Sequence, residues 1–170
     1  AGITHNKNHP VVGEEMTRKI LRRLKFDNDT IGKVTKIVRY HDQQIALTDT
    51  GVRRAVNRMG EEIFRMMFPV RRADIAAQSD YRREEKLEKL AYIEQLYQGI
   101  CERKEAVCLK DLAVTGSDLL AVGMESGRQL GEMLNWLLEQ ILENPEWNTK
   151  EKLLALCSEK QKQEISPEEK

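Results

Sequence analysis

Apolar residues recur at three- and four-residue intervals almost from end to end of this chain, and that period leaves it little to fold into except helices. Val12, Met16, Ile20 and Leu24 follow one another every four positions, which predicts an amphipathic helix over residues 10–25. The face opposite this stripe carries Arg18, Lys19, Arg22 and Arg23. Asp27, Asn28 and Asp29 offer N-cap side chains for a second helix, with Ile31, Val34, Ile37, Val38 and His41 on one side. Thr50-Gly51 opens a third, with Val52, Val56 and Met59 inward and Gly60 as its stop. Residues 61–67 continue helically to Pro69, whose ring removes a donor and must end or kink the helix; the pattern resumes over 70–78. Arg83–Arg103 is the longest helix, with Leu87, Leu90, Tyr97, Ile100 and Cys101 on its buried stripe.

Residues 112–123 read as a loop and one short helix capped by Ser117. Ser126–Gln129 has capping-box spacing and opens a helix through Leu142, with Leu130, Leu134, Leu137 and Ile141 inward. Asn144-Pro145 breaks it, and Asn148 with Glu151 caps a last helix carrying Leu153, Leu154 and Cys157. Only 10 Gly and 4 Pro in 170 residues agree with an all-α, multi-helix assembly. A soft boundary near 79–83 separates a helical body, residues 1–80, from a helical tail, residues 81–158. Glu159–Lys170, with Ser166-Pro167 and no apolar period, reads as a frayed terminus.

No uncharged run approaches the ~18 apolar residues of a membrane span. No basic-then-apolar leader opens the chain, and Ala1 is not an initiator Met, so nothing marks it as the natural start. Cys101, Cys108 and Cys157 are odd in number and lack C-x-x-C spacing. That fits a reducing, cytoplasmic setting and excludes a secreted disulfide scaffold.

The formal net charge is zero, but it is unevenly spread. Up to Arg72 there are 15 Lys and Arg against 8 Asp and Glu; from Ala73 onward there are 13 against 20. A basic half beside an acidic half points to a polyanionic partner. Arg18, Arg22, Arg23 and Lys25 on the first helix, Arg53, Arg54 and Arg58 on the third, Arg71 and Arg72 near Asp74, and Arg128 farther on are the candidate contacts. The guanidinium fork donates two parallel hydrogen bonds to phosphate, giving affinity without reading bases. With few aromatics for stacking, a structured RNA recognised by shape is the expected ligand.

Histidine and carboxylate also occur in a combination that suits a divalent metal. His9, His41-Asp42 and Asp74 are the ligand types used by metal-dependent phosphohydrolases of the HD superfamily, where the metal activates a water against a phosphate. The competing explanation is a pair of hydrogen-bonded histidines at helix ends and an Asp74 paired with arginine. Asp27-x-Asp29 has the form of a paired metal-binding carboxylate, but it lies between two helices, where capping is favoured. Gly127 and Gly131 either admit a neighbouring backbone or leave a helix N-terminus open to phosphate beside Arg128; packing is favoured.

HPVVGEEMTRKILRRLKFDNDTIGKVTKIVRYHD (His9–Asp42) and RRADIAAQS (Arg71–Ser79) resemble the body of bacterial CCA-adding enzymes, of the class II tRNA nucleotidyltransferase and poly(A) polymerase family. LKDLAVTGSDLLAVGMESGRQLGEMLNWLLEQILENPEWNTKEKLL (Leu109–Leu154) resembles that family's C-terminal region and is the more distinctive stretch. The resemblance implies an HD-like helical body and tail that grip tRNA, while a catalytic head absent from this chain adds nucleotides with Mg²⁺, ATP and CTP. It gives Asp27 and Asp29 no catalytic role and leaves the metal set at His9, His41 and Asp74 incomplete. Three functions are therefore weighed: a tRNA-binding portion of a nucleotidyltransferase, an HD-type metal-dependent phosphohydrolase, and an interaction domain without RNA. The sequence leaves the oligomeric state open.

Overall fold

Caps and breakers decide where each helix starts and stops. The computed structural model describes residues 9–165, among which there are eight α-helices, two 3₁₀ turns and no strand. They are α1 (His9–Arg23), α2 (Asn28–Tyr40), α3 (Asp49–Met59), α4 (Glu61–Ala77), α5 (Arg83–Glu102), α6 (Gly116–Ala121), α7 (Arg128–Glu143) and α8 (Lys150–Ile165). Among the described residues no helix is long and apolar enough to cross a membrane. Two compact units divide between Gln98 and Gly99. The division falls inside α5, beyond the 79–83 break read from the sequence, which is only the turn joining α4 to α5.

In the first unit, the Asp27 carboxylate accepts from the Thr30 N–H at 2.8 Å and from its hydroxyl at 2.6 Å, capping α2 as its composition predicts. Thr48, rather than Thr50, caps α3 by accepting from the Gly51 N–H. Gly60 ends α3 at φ +84°, a conformation that favours a residue without a β-carbon. α4 does not end at Pro69. Pro69 and Arg65, whose carbonyl loses its partner there, are both exposed, so water can replace the missing bond.

The core of this unit is built by α3, α4 and α5. Val52, Val56, Met59, Ile63, Phe64, Met67 and Phe68 are buried. Phe64 meets Phe68 edge-on at 5.4 Å and Tyr97 at 5.1 Å. The Tyr97 hydroxyl escapes the apolar layer by donating to Glu61 at 2.9 Å. On the part of α5 in this unit Leu90 and Tyr97 of the expected stripe are buried, joined by Ile93, whereas Leu87 is exposed; beyond the division Ile100 is buried and Cys101 exposed.

α1 departs most from its sequence pattern. It packs antiparallel on α2 through the half-buried row Gly13, Thr17 and Leu21; a β-carbon on Gly13 would lie 3.1 Å from Val38 Cγ1. The apolar row Val12, Met16, Ile20 and Leu24 faces outward instead. A single partner helix covers only one row, and the row it covers begins one residue later, roughly 100° around the helix.

The second unit packs α7 residues Met133, Leu137, Leu138, Ile141 and Leu142 against Leu119, Leu153 and Cys157, with Ala106, Leu112 and Val114 closing the cluster. Thr115, not Ser117, caps α6 in a reciprocal box with Asp118. Gly127 precedes α7 without a side-chain cap, so the capping box expected at Ser126 does not form. Asn148 does not cap α8 either. Its Oδ1 accepts from the Ala113 N–H at 2.8 Å and its Nδ2 donates to the Asp111 carbonyl at 2.9 Å, fixing the preceding loop. α8 runs on to Ile165, through the first part of the segment expected to fray; residues 166–170 lie outside the described residues.

Candidate nucleic-acid interface

The antiparallel α1–α2 pair brings cations from two helices to one place. A cleft of about 480 Å³ opens between them, lined by Glu14, Arg18, Gly32, Thr35, Lys36, Arg39 and Tyr40. The Glu14 carboxylate accepts from Arg18 at 3.0 Å and pairs with Arg39 at 3.6 Å, so one acid orients two guanidinium groups. Arg18 also approaches the Thr35 hydroxyl at 3.5 Å. That hydroxyl is buried and donates to the Ile31 carbonyl at 2.7 Å, leaving its lone pairs toward Arg18. Lys36 is exposed and has no ion pair among the described residues. Three cations against one carboxylate leave the cleft with two positive charges in excess. Gly32 keeps it open, since nothing lies within 4 Å of where its β-carbon would stand.

Such a cleft is suited to an oxyanion. A guanidinium held by one edge keeps N–H groups on its other edge, and an unpaired ammonium supplies a further charge. The neighbouring Lys33 is not available in the same way: Asp29 at 2.9 Å and Glu62 at 2.7 Å hold it, and their hydrogen bonds raise its pKa above the ordinary lysine range.

The arginines singled out from sequence separate into distinct roles. Arg18 lines the cleft. Arg22, Arg23 and Arg58 are exposed without an ion pair among the described residues, and Arg54 is exposed. Arg53 is only 4% exposed and donates to the Thr50 hydroxyl at 3.0 Å, so it is a core residue and does not present itself to a ligand. Arg71 closes the end of α2, donating from Nε to the His41 carbonyl at 3.0 Å and from Nη2 to the Tyr40 and Gln43 carbonyls. Burial pushes its pKa down, partly opposed by nearby Asp42. Arg72 is paired with Glu94 on α5, and Arg128, in the second unit, with Glu132 at 2.6 Å. Lys36 and Arg39, which complete the cleft, do not stand out in the sequence. The signal that finds them is their position on α2 opposite Arg18 in a short-linked helical hairpin.

Among the described residues the metal candidates form no ligand cluster. His41 Nδ1 is 2.8 Å from the Val38 carbonyl, Asp42 is exposed, and Asp74 accepts from Gln78 at 2.7 Å within its own helix. The side chain of His9 lies outside the described residues. Among the described residues no group of three or more His, Cys, Asp and Glu side chains could hold a metal ion. Asp27 and Asp29 do not fit a Mg²⁺ pair: Asp27 is a cap, held below the usual carboxylate range by the Thr30 hydroxyl and N–H, and Asp29 faces Lys33. Nor does Gly131 admit a neighbour, as nothing lies within 4 Å of its β-carbon position.

Comparison with known proteins places this geometry in a family context. The family model for tRNA nucleotidyltransferase domain 2 matches residues 10–157. Among curated proteins, the A-adding tRNA nucleotidyltransferase of Deinococcus radiodurans is 27% identical over 135 residues, covering 77% of this chain. The chain spans only 30% of the length of that relative. No solved structure matches.

Proposed function

The chain belongs to the tRNA nucleotidyltransferase domain 2 family, and from that premise we propose that it holds tRNA for a catalytic head lying outside it. The observation that carries the reading is the α1–α2 cleft, where Arg18, Lys36 and Arg39 converge on a space open to a backbone phosphate. Exposed Arg22 and Arg23 extend positive charge along the end of α1. Phosphate contacts of this kind fix register on a folded RNA without selecting bases. The 3′-end chemistry, with its Mg²⁺, ATP and CTP, is assigned to the head. The name of the Deinococcus relative points to addition of A, which draws on ATP, as one part of that chemistry. A cytoplasmic setting is part of the same proposal, and the thiols of Cys101, Cys108 and Cys157 are all free, as it requires.

Filter binding of the full chain to tRNA across a salt series tests this. The logarithm of affinity is expected to fall linearly with the logarithm of salt. Lys36→Ala with Arg39→Ala is expected to flatten the slope by about 1 for each phosphate that is no longer neutralised. Salt-insensitive binding, or a slope untouched by the double variant, would remove the cleft from the interface.

A further inference from the structure

We propose that the α1–α2 cleft seats one particular phosphate, the monoester at the 5′ end of the bound tRNA. The inference rests on the tRNA-binding reading and narrows its phosphate from any along the backbone to the one that ends the strand. Charge makes the first selection. Arg18, Lys36 and Arg39 stand against the single carboxylate of the lining, Glu14, so two positive charges are in excess. At neutral pH a phosphate monoester carries about −1.5 to −2, with a second pKa of about 6 that neighbouring cations depress, whereas each internal diester carries a single charge. A diester would leave one cation of the cleft unmatched; a monoester matches both.

The donors make the second selection. A monoester presents three free oxygens and a diester two. Among the described residues, Arg18 reaches Glu14 and Thr35 through Nη2 alone, Arg39 reaches Glu14 through Nη1 alone, and Lys36 has no ion pair. Each of the three side chains therefore keeps donors for an oxygen of its own. Glu14 does not stand in the way, since its Oε1 is on Arg18 and its Oε2 on Arg39. The lining also includes one aromatic residue, the half-buried Tyr40. A 5′-terminal base has a face that no preceding neighbour stacks on, which an aromatic ring can cover. The cleft volume of about 480 Å³ lies within the ~300–1,000 Å³ of clefts that enclose a small ligand, room for a terminal nucleotide as well as its phosphate. Arg22 and Arg23, exposed about one turn further along α1, suit the diesters that follow.

Filter binding of the full chain to one tRNA transcript, bearing either a 5′-monophosphate or a 5′-hydroxyl, reads this directly. Removing the phosphate is expected to weaken binding about tenfold or more. Lys36→Ala with Arg39→Ala is expected to erase the difference, so that the double variant binds both RNAs alike. Lys36→Gln, which breaks no ion pair among the described residues, should shrink it. Both side chains are exposed, and unchanged circular dichroism and melting temperature will show that the variants remain folded. Titration calorimetry with inorganic phosphate distinguishes a strand end from a free anion, for which only weak, millimolar binding is expected. Equal binding of the two RNAs by the parent chain would overturn the 5′-end assignment; if the double variant still flattened the salt slope, the cleft would hold an internal phosphate and the tRNA-binding reading would stand. A difference between the RNAs that survives in the double variant would put the 5′ phosphate elsewhere, and micromolar binding of inorganic phosphate would make the cleft a free-anion site; either result overturns the assignment. Absence of any salt-dependent tRNA binding would instead defeat the underlying reading, and this inference with it.

Discussion

Replacing Arg71 with Ala separates a structural arginine from an RNA-binding one. From sequence, Arg71 and Arg72 form a basic doublet suited to phosphate. In the structure the Arg71 guanidinium instead spans the carbonyls of Tyr40, His41 and Gln43, at the end of α2 where no further turn of helix can satisfy them. Removing a charged donor from such a site costs about 1.5–3 kcal/mol. Losing a cation from a helix C-terminus adds about 0.3–1 kcal/mol. The sum is about 2–4 kcal/mol, a large part of the ~5–15 kcal/mol that holds an ordinary domain folded. At roughly 2–4 °C per kcal/mol for a chain of this size, the melting temperature should drop by about 4–16 °C.

The measurement pairs thermal melts followed by circular dichroism with tRNA binding well below either melting midpoint. Arg71→Ala should melt early yet bind tRNA with affinity unchanged to within about twofold, roughly 0.4 kcal/mol. Arg71→Lys should lie between it and the parent, because an ammonium keeps the charge but cannot span three carbonyls as the planar fork does. A variant that melts with the parent but loses tRNA affinity would show that Arg71 faces the RNA, and the capping argument would fall.

Gly51→Ala should destabilise the protein, although Ala is the better helix former by about 1 kcal/mol. The new β-carbon would lie 2.6 Å from the Ala46 carbonyl oxygen and 2.7 Å from its β-carbon; a urea titration showing increased stability would mean that the preceding loop yields freely. Glu85 is lowered to about 2 by its hydrogen bonds from Arg82 and Lys89, and Asp118 lies below its ordinary range through Lys150 and Thr115. Folded values below unfolded ones mean stability that is fully present above about pH 4.5 and lost as pH falls. Glu85→Gln should therefore lower the melting temperature at neutral pH and have little effect near pH 2; an equal deficit at both would refute the linkage. Among the thiols, exposed Cys101 should react first with a disulfide reagent. Cys108, raised by burial and by its hydrogen bond to Asp111, should follow, and Cys157 should react only on unfolding. Early labelling of Cys157, read by mass spectrometry, would contradict the packing of α7 on α8.

Local rules written in short-range chemistry were legible in the sequence. Asp27 caps α2 because a carboxylate two or three residues ahead of free N–H groups has few better partners. Gly60 stops α3 because a positive φ favours glycine. What depended on tertiary partners was not legible. The period of Val12, Met16, Ile20 and Leu24 correctly gives a helix, but a period says only that an apolar face exists, not that a neighbour covers it. Arg53, singled out as a candidate RNA contact, is instead buried for the converse reason: a long side chain can bury its stem and satisfy its head on Thr50, one turn back on the same helix. Pro69 shows the same dependence, since a missing hydrogen bond ends a helix only where water cannot take its place.

The cleft lies between these extremes, because its ingredients were visible and its assembly was one step away. Two helices joined by a tight turn run antiparallel, so residues equidistant from the turn face each other. Taking Leu24–Asp27 as that turn sets Gly13 opposite Val38, the close approach observed, and brings Arg18 and Glu14 to within two residues of their partners Thr35 and Arg39. Counting cations along α1 alone gives a diffuse basic helix with no preferred spot. Pairing it with α2 converts the count into a site, as Lys36 and Arg39 rise beside Arg18 and Glu14 sets the orientation of both guanidinium groups. On this argument Glu14 is an organiser and not a misplaced charge against a polyanion. Without it the two arginines would repel and splay, and the phosphate would find separate charges where it now finds a shaped pair.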